Sequence, residues 1–247
     1  MRSIIRQIPN FITSLNLVAG SLAVIFAIDG HLIWAGIFIS LAAVFDFLDG
    51  FAARLLNAYS DIGKQLDSLG DLISFGLAPA AILFTLLEFS MFGKNQPIYE
   101  ITASWNHWLI LFSAFLMPVL GAVRLARFNN APEENFFRGL PIPSNGLFWA
   151  SLGLMLEIPR YQQLNELIYS TRTLLLLGLF TSVMMVINLP MFSLKLKNLK
   201  WNENWYRFIF LAIAFILLAV FNVCGLALTI LTYILMNILL YFAAIDF

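Results

Sequence analysis

The chain has 247 residues, 61% of them hydrophobic and only 11% charged, with a mean hydropathy of +0.86 and a formal net charge of zero. A soluble globular domain carries about a quarter charged residues, so this composition excludes one, and the absence of net positive charge argues against a nucleic-acid binder. The single cysteine, Cys224, rules out an internal disulfide.

Eight apolar runs approach the ~20 residues with which a helix crosses a bilayer. They cover residues 11–29, 32–49, 72–92, 106–128, 145–159, 172–191, 208–222 and 224–245. This pattern predicts an all-α, polytopic bundle of transmembrane helices, with 1–247 as one integral membrane domain. Ahead of the first run, "MRSIIRQIPNFITSLN" sets Ile4, Ile5 and Ile8 on one face and Arg2 and Arg6 on the other. That suits a short amphipathic helix in the headgroup region, which Pro9 is expected to break. The first run lacks a small-residue cleavage site and is followed at once by a second, so it reads as a span and not as a leader. His31 and His107 stand at span ends without a cysteine partner, a poor set for zinc. Trp105, Trp108, Trp149, Trp201 and Trp205 lie near span ends and are expected to be interfacial anchors. Gly20 and Gly121, within spans, suit helix packing.

With the N-terminus in the cytoplasm, the inner segments hold Arg2, Arg6, Arg54, Lys64, Arg124, Arg127, Arg138, Lys195, Lys197, Lys200 and Arg207. The outer ones keep only Lys94, Arg160 and Arg172. That is the positive-inside asymmetry.

The stretch "AVFDFLDGFAARLLNAYSDIGKQLDSLGDLISFGLAP" then poses a problem. Asp46 and Asp49 are three residues apart and Asp67 and Asp71 four, so on helices each pair projects from one face. Two neighbouring antiparallel helices would bring four carboxylates to one place. At ~6 Å and an effective dielectric of ~20, each pair of charges repels by about 3 kcal/mol. Each Asp near a bilayer centre costs a further ~2.5–3.5 kcal/mol, and carboxylates near a helix C-terminus oppose its dipole. Arg54 and Arg124 cannot neutralise four such groups. A divalent cation can, and all-oxygen ligation points to Mg²⁺, Mn²⁺ or Ca²⁺. Mg²⁺ commonly binds together with substrate phosphates, which makes a phosphate-bearing substrate the natural companion. Gly50, Ala53 and Gly63 would open a slot beside the cation, and Arg54 could clamp a phosphate.

The spacing Asp46-x-x-Asp49-Gly50-x-x-Ala53-Arg54, eight residues, then Gly63-x-x-x-Asp67-x-x-x-Asp71 resembles the signature of the CDP-alcohol phosphatidyltransferases at every position. Those membrane enzymes transfer a phosphatidyl or related group from a CDP-linked donor to an alcohol and release CMP. "PNFITSLNLVAGSLAV", "GKQLDSLGDLISFGLAPA", "RLARFN", "FRGLPIPS" and, more weakly, "MMVINLPMFSLK" are similar to one branch, the CDP-diacylglycerol–serine phosphatidyltransferases. That branch usually has Ala where Gly70 stands. The resemblance covers about the first 200 residues in blocks; the last two runs, 208–245, carry no motif.

The resemblance implies that Asp46, Asp49, Asp67 and Asp71 hold two divalent cations, Mg²⁺ or Mn²⁺, and that Asp71 is also the general base. It further implies that Gly50, Arg54 and Ser60 meet the nucleotide and phosphates, with Asn10 and Thr13 closing the pocket. The expected substrates are CDP-diacylglycerol and L-serine, drawn from among the membrane lipids and the cytoplasm. The expected place is a bacterial inner membrane, with the site facing the cytoplasm and a homodimer as the assembly. Arg124, Arg127 and Arg138 are the candidates for the serine carboxylate. Glycerol 3-phosphate or inositol are the rival acceptors. A divalent-cation transporter is the rival of another class, although the outer halves of the second and third runs offer only Ser40, Thr85 and Glu88 as a polar path.

Overall fold

The computed structural model describes residues 7–130, 136–156, 158–194 and 200–243. The expected headgroup helix falls mostly on residues 1–6, outside the described residues. The first helix, α1 (Ile8–Ile28), already contains Pro9 in its opening turn. Pro9 is tolerated there because a first-turn residue has no intrahelical N–H bond to lose.

A three-residue turn with Gly30 at φ +83° reverses the chain into α2 (Leu32–Leu55). A second short connection, with Asn57 in the left-handed region, leads to α3. This helix runs from Asp61 to Phe92 and includes a π-helical stretch, Leu72–Leu77. Ser60 caps its start, the hydroxyl accepting the Gly63 N–H at 3.0 Å. Next come α4 (Trp105–Asn130), strand β1 (Phe136–Arg138), α5 (Ile142–Met155), α6 (Gln162–Ile168), α7 (Thr171–Val186), strand β2 (Pro190–Phe192) and α8 (Trp201–Phe242). The two strands pair antiparallel, Phe137 opposite Met191, as a small ribbon beside an otherwise helical bundle.

Among the described residues, five helices are long and apolar enough to cross a membrane, or six if α6 and α7, bent by 81°, form one broken span. The expected fifth run appears as α5, whose 14 residues extend only about 21 Å at 1.5 Å per residue. The expected last two runs appear as two helical arms, named together α8, with a break between them at Asn222. Phe210 and Tyr233 meet edge to face with centroids 5.5 Å apart, whereas 23 residues of straight helix would separate them by about 35 Å. The chain doubles back at Asn222, where φ is +46°. Carbonyls around this bend are taken up by Arg160 (Val220), Tyr161 (Phe221) and Ser151 (Val223). In an apolar surrounding such groups need a partner.

The centre of the bundle is α3, with 78% of its apolar window buried against 33% for α1, α2 and α4. Its π-helical stretch is gripped on two sides by glycines: a Cβ on Gly20 of α1 would collide with Ser74, and one on Gly146 of α5 with Phe75. Asn16 and Asn145 hold the same stretch by hydrogen bonds, Ser74 Oγ to Asn16 Oδ1 at 2.6 Å and Asn145 Nδ2 to the Phe75 carbonyl at 3.1 Å. Gly121 likewise admits Ile142, so both expected packing glycines act as such. Trp149 does not anchor an interface. It is fully buried in α5, its indole N–H donating to Thr181 at 3.2 Å, because α5 lies inside the bundle. Trp105 and Trp201 are exposed.

Close approach at Gly20 makes a simple prediction. Gly20→Ala forces α1 and the π-helical stretch apart and is expected to cost about 1–3 kcal/mol, the usual range for overpacking. It should show as a lower unfolding midpoint in detergent, partly restored when Ser74→Gly is added.

Candidate active site

Both aspartate pairs lie on helices whose faces meet. Ligand oxygens of Asp46, Asp49 and Asp67 all fall within 4.8 Å of one another. Asp71 faces the same space as Asp46, Asp67 and Asp49. Asp49 and Asp71 are buried, 5% and 9% exposed, and Asp46 and Asp67 half-buried. The aspartates on α2 do not sit at its very end, since the helix continues six residues past Asp49 and places Arg54 in the last turn. The unfavourable dipole therefore acts mainly where a cation already stands.

The first helix closes the third side. The Thr13 hydroxyl, bonded to the Pro9 carbonyl at 3.0 Å, lies within reach of Asp49. Asn10 lies against Gly63, where any Cβ would come within 2.7 Å of its Oδ1. Gly63 is thus the position that lets α1 and the start of α3 close on one another. Gly50 has the opposite surroundings: a Cβ there would meet nothing within 4 Å, so space is open beside Asp49. Ala53 is half-buried and Arg54 exposed at the rim. Ser60 spends its oxygen on capping α3. At Gly70 a Cβ would make only ordinary contact, 3.5 Å from Asn16 Nδ2, so Ala in its place is tolerable.

The three candidate arginines separate clearly. Arg124 is buried, 8% exposed, with Asp71 and Tyr233 within electrostatic range. Arg127 is exposed and donates to the Val186 carbonyl at the end of α7, 3.0 Å. Arg138 bonds Asn188 Oδ1 at 3.1 Å on the ribbon side. The bonds Lys64 to the Asn129 carbonyl (3.2 Å) and Asn129 to Ser68 Oγ (2.9 Å) join α3 to α4 close to Asp71 and Arg124. Two contributors were not foreseen: the π-helical stretch immediately after Asp71, and Tyr233, from a run without motif. Neither has a local sequence signal.

The donor set suits a hard divalent cation. Four carboxylates offer acceptors only, and buried oxygens on two of them, Asp49 Oδ2 and Asp71 Oδ1, have no hydrogen-bond partner. Unpaired buried carboxylate oxygens are costly, and one guanidinium cannot satisfy all four groups. An all-oxygen cluster with room for water and phosphate is the environment that Mg²⁺ or Mn²⁺ selects.

A profile of the CDP-alcohol phosphatidyltransferase family matches residues 6–190. The chain belongs to this family. It is similar to the CDP-diacylglycerol–serine O-phosphatidyltransferase of Methanocaldococcus jannaschii, 33% identical over 172 residues, 70% of this chain and 69% of that protein. The Bacillus subtilis protein of the same name is 34% identical over 141 residues, 57% of this chain and 71% of its own length. That of Helicobacter pylori is 29% identical over 215 residues, covering 84% and 81%. As a CDP-alcohol phosphatidyltransferase, the chain is an enzyme whose acidic cluster falls inside the matched segment. All of α8, with Tyr233, falls beyond it.

The cluster makes a metal prediction that does not depend on turnover. Titration with Mn²⁺, followed by electron paramagnetic resonance, should detect tight sites in the parent protein. Asp46→Asn, Asp49→Asn or Asp67→Asn should each weaken them by more than the ~10–100-fold typical of outer partners. Equal Mn²⁺ binding by the parent and all three variants would remove the cation from the site.

Proposed function

We propose that the enzyme transfers the phosphatidyl group of CDP-diacylglycerol to the hydroxyl of L-serine, giving phosphatidylserine and CMP. The observation that carries the chemistry is the convergence of Asp46, Asp49, Asp67 and Asp71 beside the open space at Gly50. The acceptor comes from the relatives, which are named for serine, and from Arg124, the one buried arginine among the described residues, near Asp71. We further propose that the site opens to the cytoplasm, on the strength of the cation asymmetry along the chain, and that the membrane is a bacterial inner one, on the strength of the resemblance to the serine branch.

In this reading Asp46, Asp49, Asp67 and Asp71 hold two divalent cations. Bound there, such ions would neutralise the diphosphate and polarise the phosphorus under attack. Thr13 and Asn10 close the donor pocket from α1, and the missing side chains at Gly50 and Gly63, with the small Ala53, leave the backbone accessible to the nucleotide. Arg54, at the rim, takes a phosphate oxygen with its planar fork, and Ser60 holds the first turn of α3 in register beneath it. The acceptor oxygen attacks the phosphorus that bears diacylglycerol. The bond from that phosphorus to the bridging oxygen breaks, and CMP leaves. Asp71 receives the hydroxyl proton. Burial removes competing water and strengthens its interaction with the developing charge. Arg124, beside Asp71, pairs with the serine carboxylate.

Transport of a divalent cation is the less favoured reading. Ser40, Thr85 and Glu88 are engaged by the protein itself: Ser40 by the Gly36 carbonyl, Thr85 by the Ala27 carbonyl and Glu88 by the Gln96 N–H. A path for ions needs polar groups free to replace hydration.

Two experiments test the proposal. Asp71→Asn should remove turnover while CDP-diacylglycerol binding, measured directly, partly survives. Loss of donor affinity as complete as the loss of turnover would make Asp71 chiefly a ligand. The second supplies serine, inositol and glycerol 3-phosphate in equal amounts with CDP-diacylglycerol and Mn²⁺, and identifies the lipid by mass spectrometry. Phosphatidylserine should dominate. Arg124→Ala should raise the serine KM about tenfold to a hundredfold, the worth of a charge-assisted pair, with Arg127→Ala near the parent. A phosphatidylinositol or phosphatidylglycerophosphate product would replace the acceptor and keep the donor chemistry.

A further inference from the structure

Asn16 of α1 is fully buried in an apolar bundle, yet its Nδ2 has no hydrogen-bond partner. The rest of the residue is tightly held. The Ser74 hydroxyl donates to Asn16 Oδ1 at 2.6 Å, and the Asn16 backbone carbonyl stands 3.1 Å from the same hydroxyl. The free Nδ2 lies toward Gly70, where a Cβ would sit 3.5 Å from it. Asn16 therefore packs on two residues of α3 that are four apart, with Asp71 between them. A leucine of the same shape would fill this place without burying an unpaired amide, so packing alone does not account for the asparagine.

The two contacts fall on opposite sides of a join. Gly70 belongs to the α-helical turns that carry Asp67 and Asp71, and Ser74 to the π-helical stretch Leu72–Leu77. A π-turn holds one residue more than an α-turn and is uncommon without support. Asn145 and Gly146 grip this stretch at Phe75, on the π-helical side of the join. Asn16 spans both sides. If the stretch relaxed to α-helix, the turns ahead of it would rotate by about 100°, the angle of one residue. Asp67 lies within 4.8 Å of Asp46 and Asp49, and Asp71 stands one turn further along the same face. Asp71 is the acid nearest the join, and such a rotation would turn it away from α2.

We infer that Asn16 is a positioning residue for Asp71: bridging Gly70 and Ser74, it fixes the join between the acid-bearing turns and the π-helical stretch, and with it the direction of the Asp71 carboxylate. This rests on the proposed part of Asp71 in the transfer.

The test pairs turnover with stability in the purified full chain. Assays use mixed micelles with CDP-diacylglycerol, saturating Mn²⁺, and serine or whichever alcohol the product assay identifies. Ser74→Ala deletes the hydroxyl and leaves Asn16 Oδ1 unpaired as well. It should lower the unfolding midpoint and also lower kcat by about tenfold to a hundredfold, as for a small misplacement of a reacting group. The donor KM should stay within about twofold. Asn16→Leu combined with Ser74→Ala replaces both partners by apolar groups and removes the unpaired amide. Its midpoint should return towards the parent's while kcat stays low. Recovery of kcat together with the midpoint would mean that the pair only stabilises, and overturns the inference. Thr85→Val supplies the comparison. It breaks another buried bond between α1 and α3, Thr85 Oγ1 to the Ala27 carbonyl at 2.7 Å, several turns past Asp71. Its kcat should stay near the parent's even with a lower midpoint. If the double variant packs poorly, a kcat loss confined to Ser74→Ala upholds the inference, and an equal loss in Thr85→Val overturns it. Asp71→Asn with the parent's kcat instead overturns the proposed role of Asp71 and leaves Asn16 nothing to position.

Discussion

Mutual repulsion among four aspartates is the constraint around which the bundle is arranged. Left alone, Asp46, Asp49, Asp67 and Asp71 would drive α2 and α3 apart, and each buried carboxylate would lack the water it gives up. The fold resists by making α3 the most enclosed of the long helices. It also ties both ends of the acidic segment: Ser60 caps the start, and Asn16, Asn145 and Gly20 grip the π-helical stretch that follows Asp71. A π-helical insertion shifts the register of everything beyond it, and such features recur at functional sites. Here it separates two tasks of one helix, ligand presentation before residue 72 and apolar packing after it.

The site has two sides of different origin. Helices α1, α2 and the first turns of α3 form the acidic side, and every residue of the signature lies there. The other side is assembled from distant pieces: Arg124 from α4, Phe192 from β2 and Tyr233 from α8. The division matches what the chemistry demands. Phosphoryl transfer needs charge neutralisation and alignment on the donor, which is common to all members of the family. In the proposed reaction, choice of acceptor would need only a few groups near Asp71, which could change without disturbing the rest of the acidic cluster.

Membrane surroundings explain several details that would be anomalous in a soluble protein. Glu88 is buried at 1% exposure because its carboxylate accepts the Gln96 N–H and closes the loop after α3. The bend in α8 is tolerated because Arg160, Tyr161 and Ser151 supply donors to the carbonyls around it. Large apolar side chains such as Phe47, Phe51 and Phe215 face outward, where lipid and not water is the solvent.

By itself the sequence determined the class of the protein and the acidic half of its site. Hydropathy needs only a count along the chain, and the aspartate pairs, Gly50, Arg54 and Gly63 occur at fixed spacings within 26 consecutive residues, so helical periodicity alone aligns them. Repulsion between like charges then pointed to a cation. Tertiary structure decided the rest. Nothing local distinguishes Arg124 from Arg127, three residues on along the same helix, until α8 and α3 cover one and α7 takes the other. Trp149 reads as an interfacial anchor until α5 is seen to lie inside the bundle. The break between the last two runs is legible, but only the edge-on contact of Phe210 with Tyr233 shows that the chain folds back there. Each of these depends on contacts between residues far apart in sequence, and periodicity carries no information about which faces will meet.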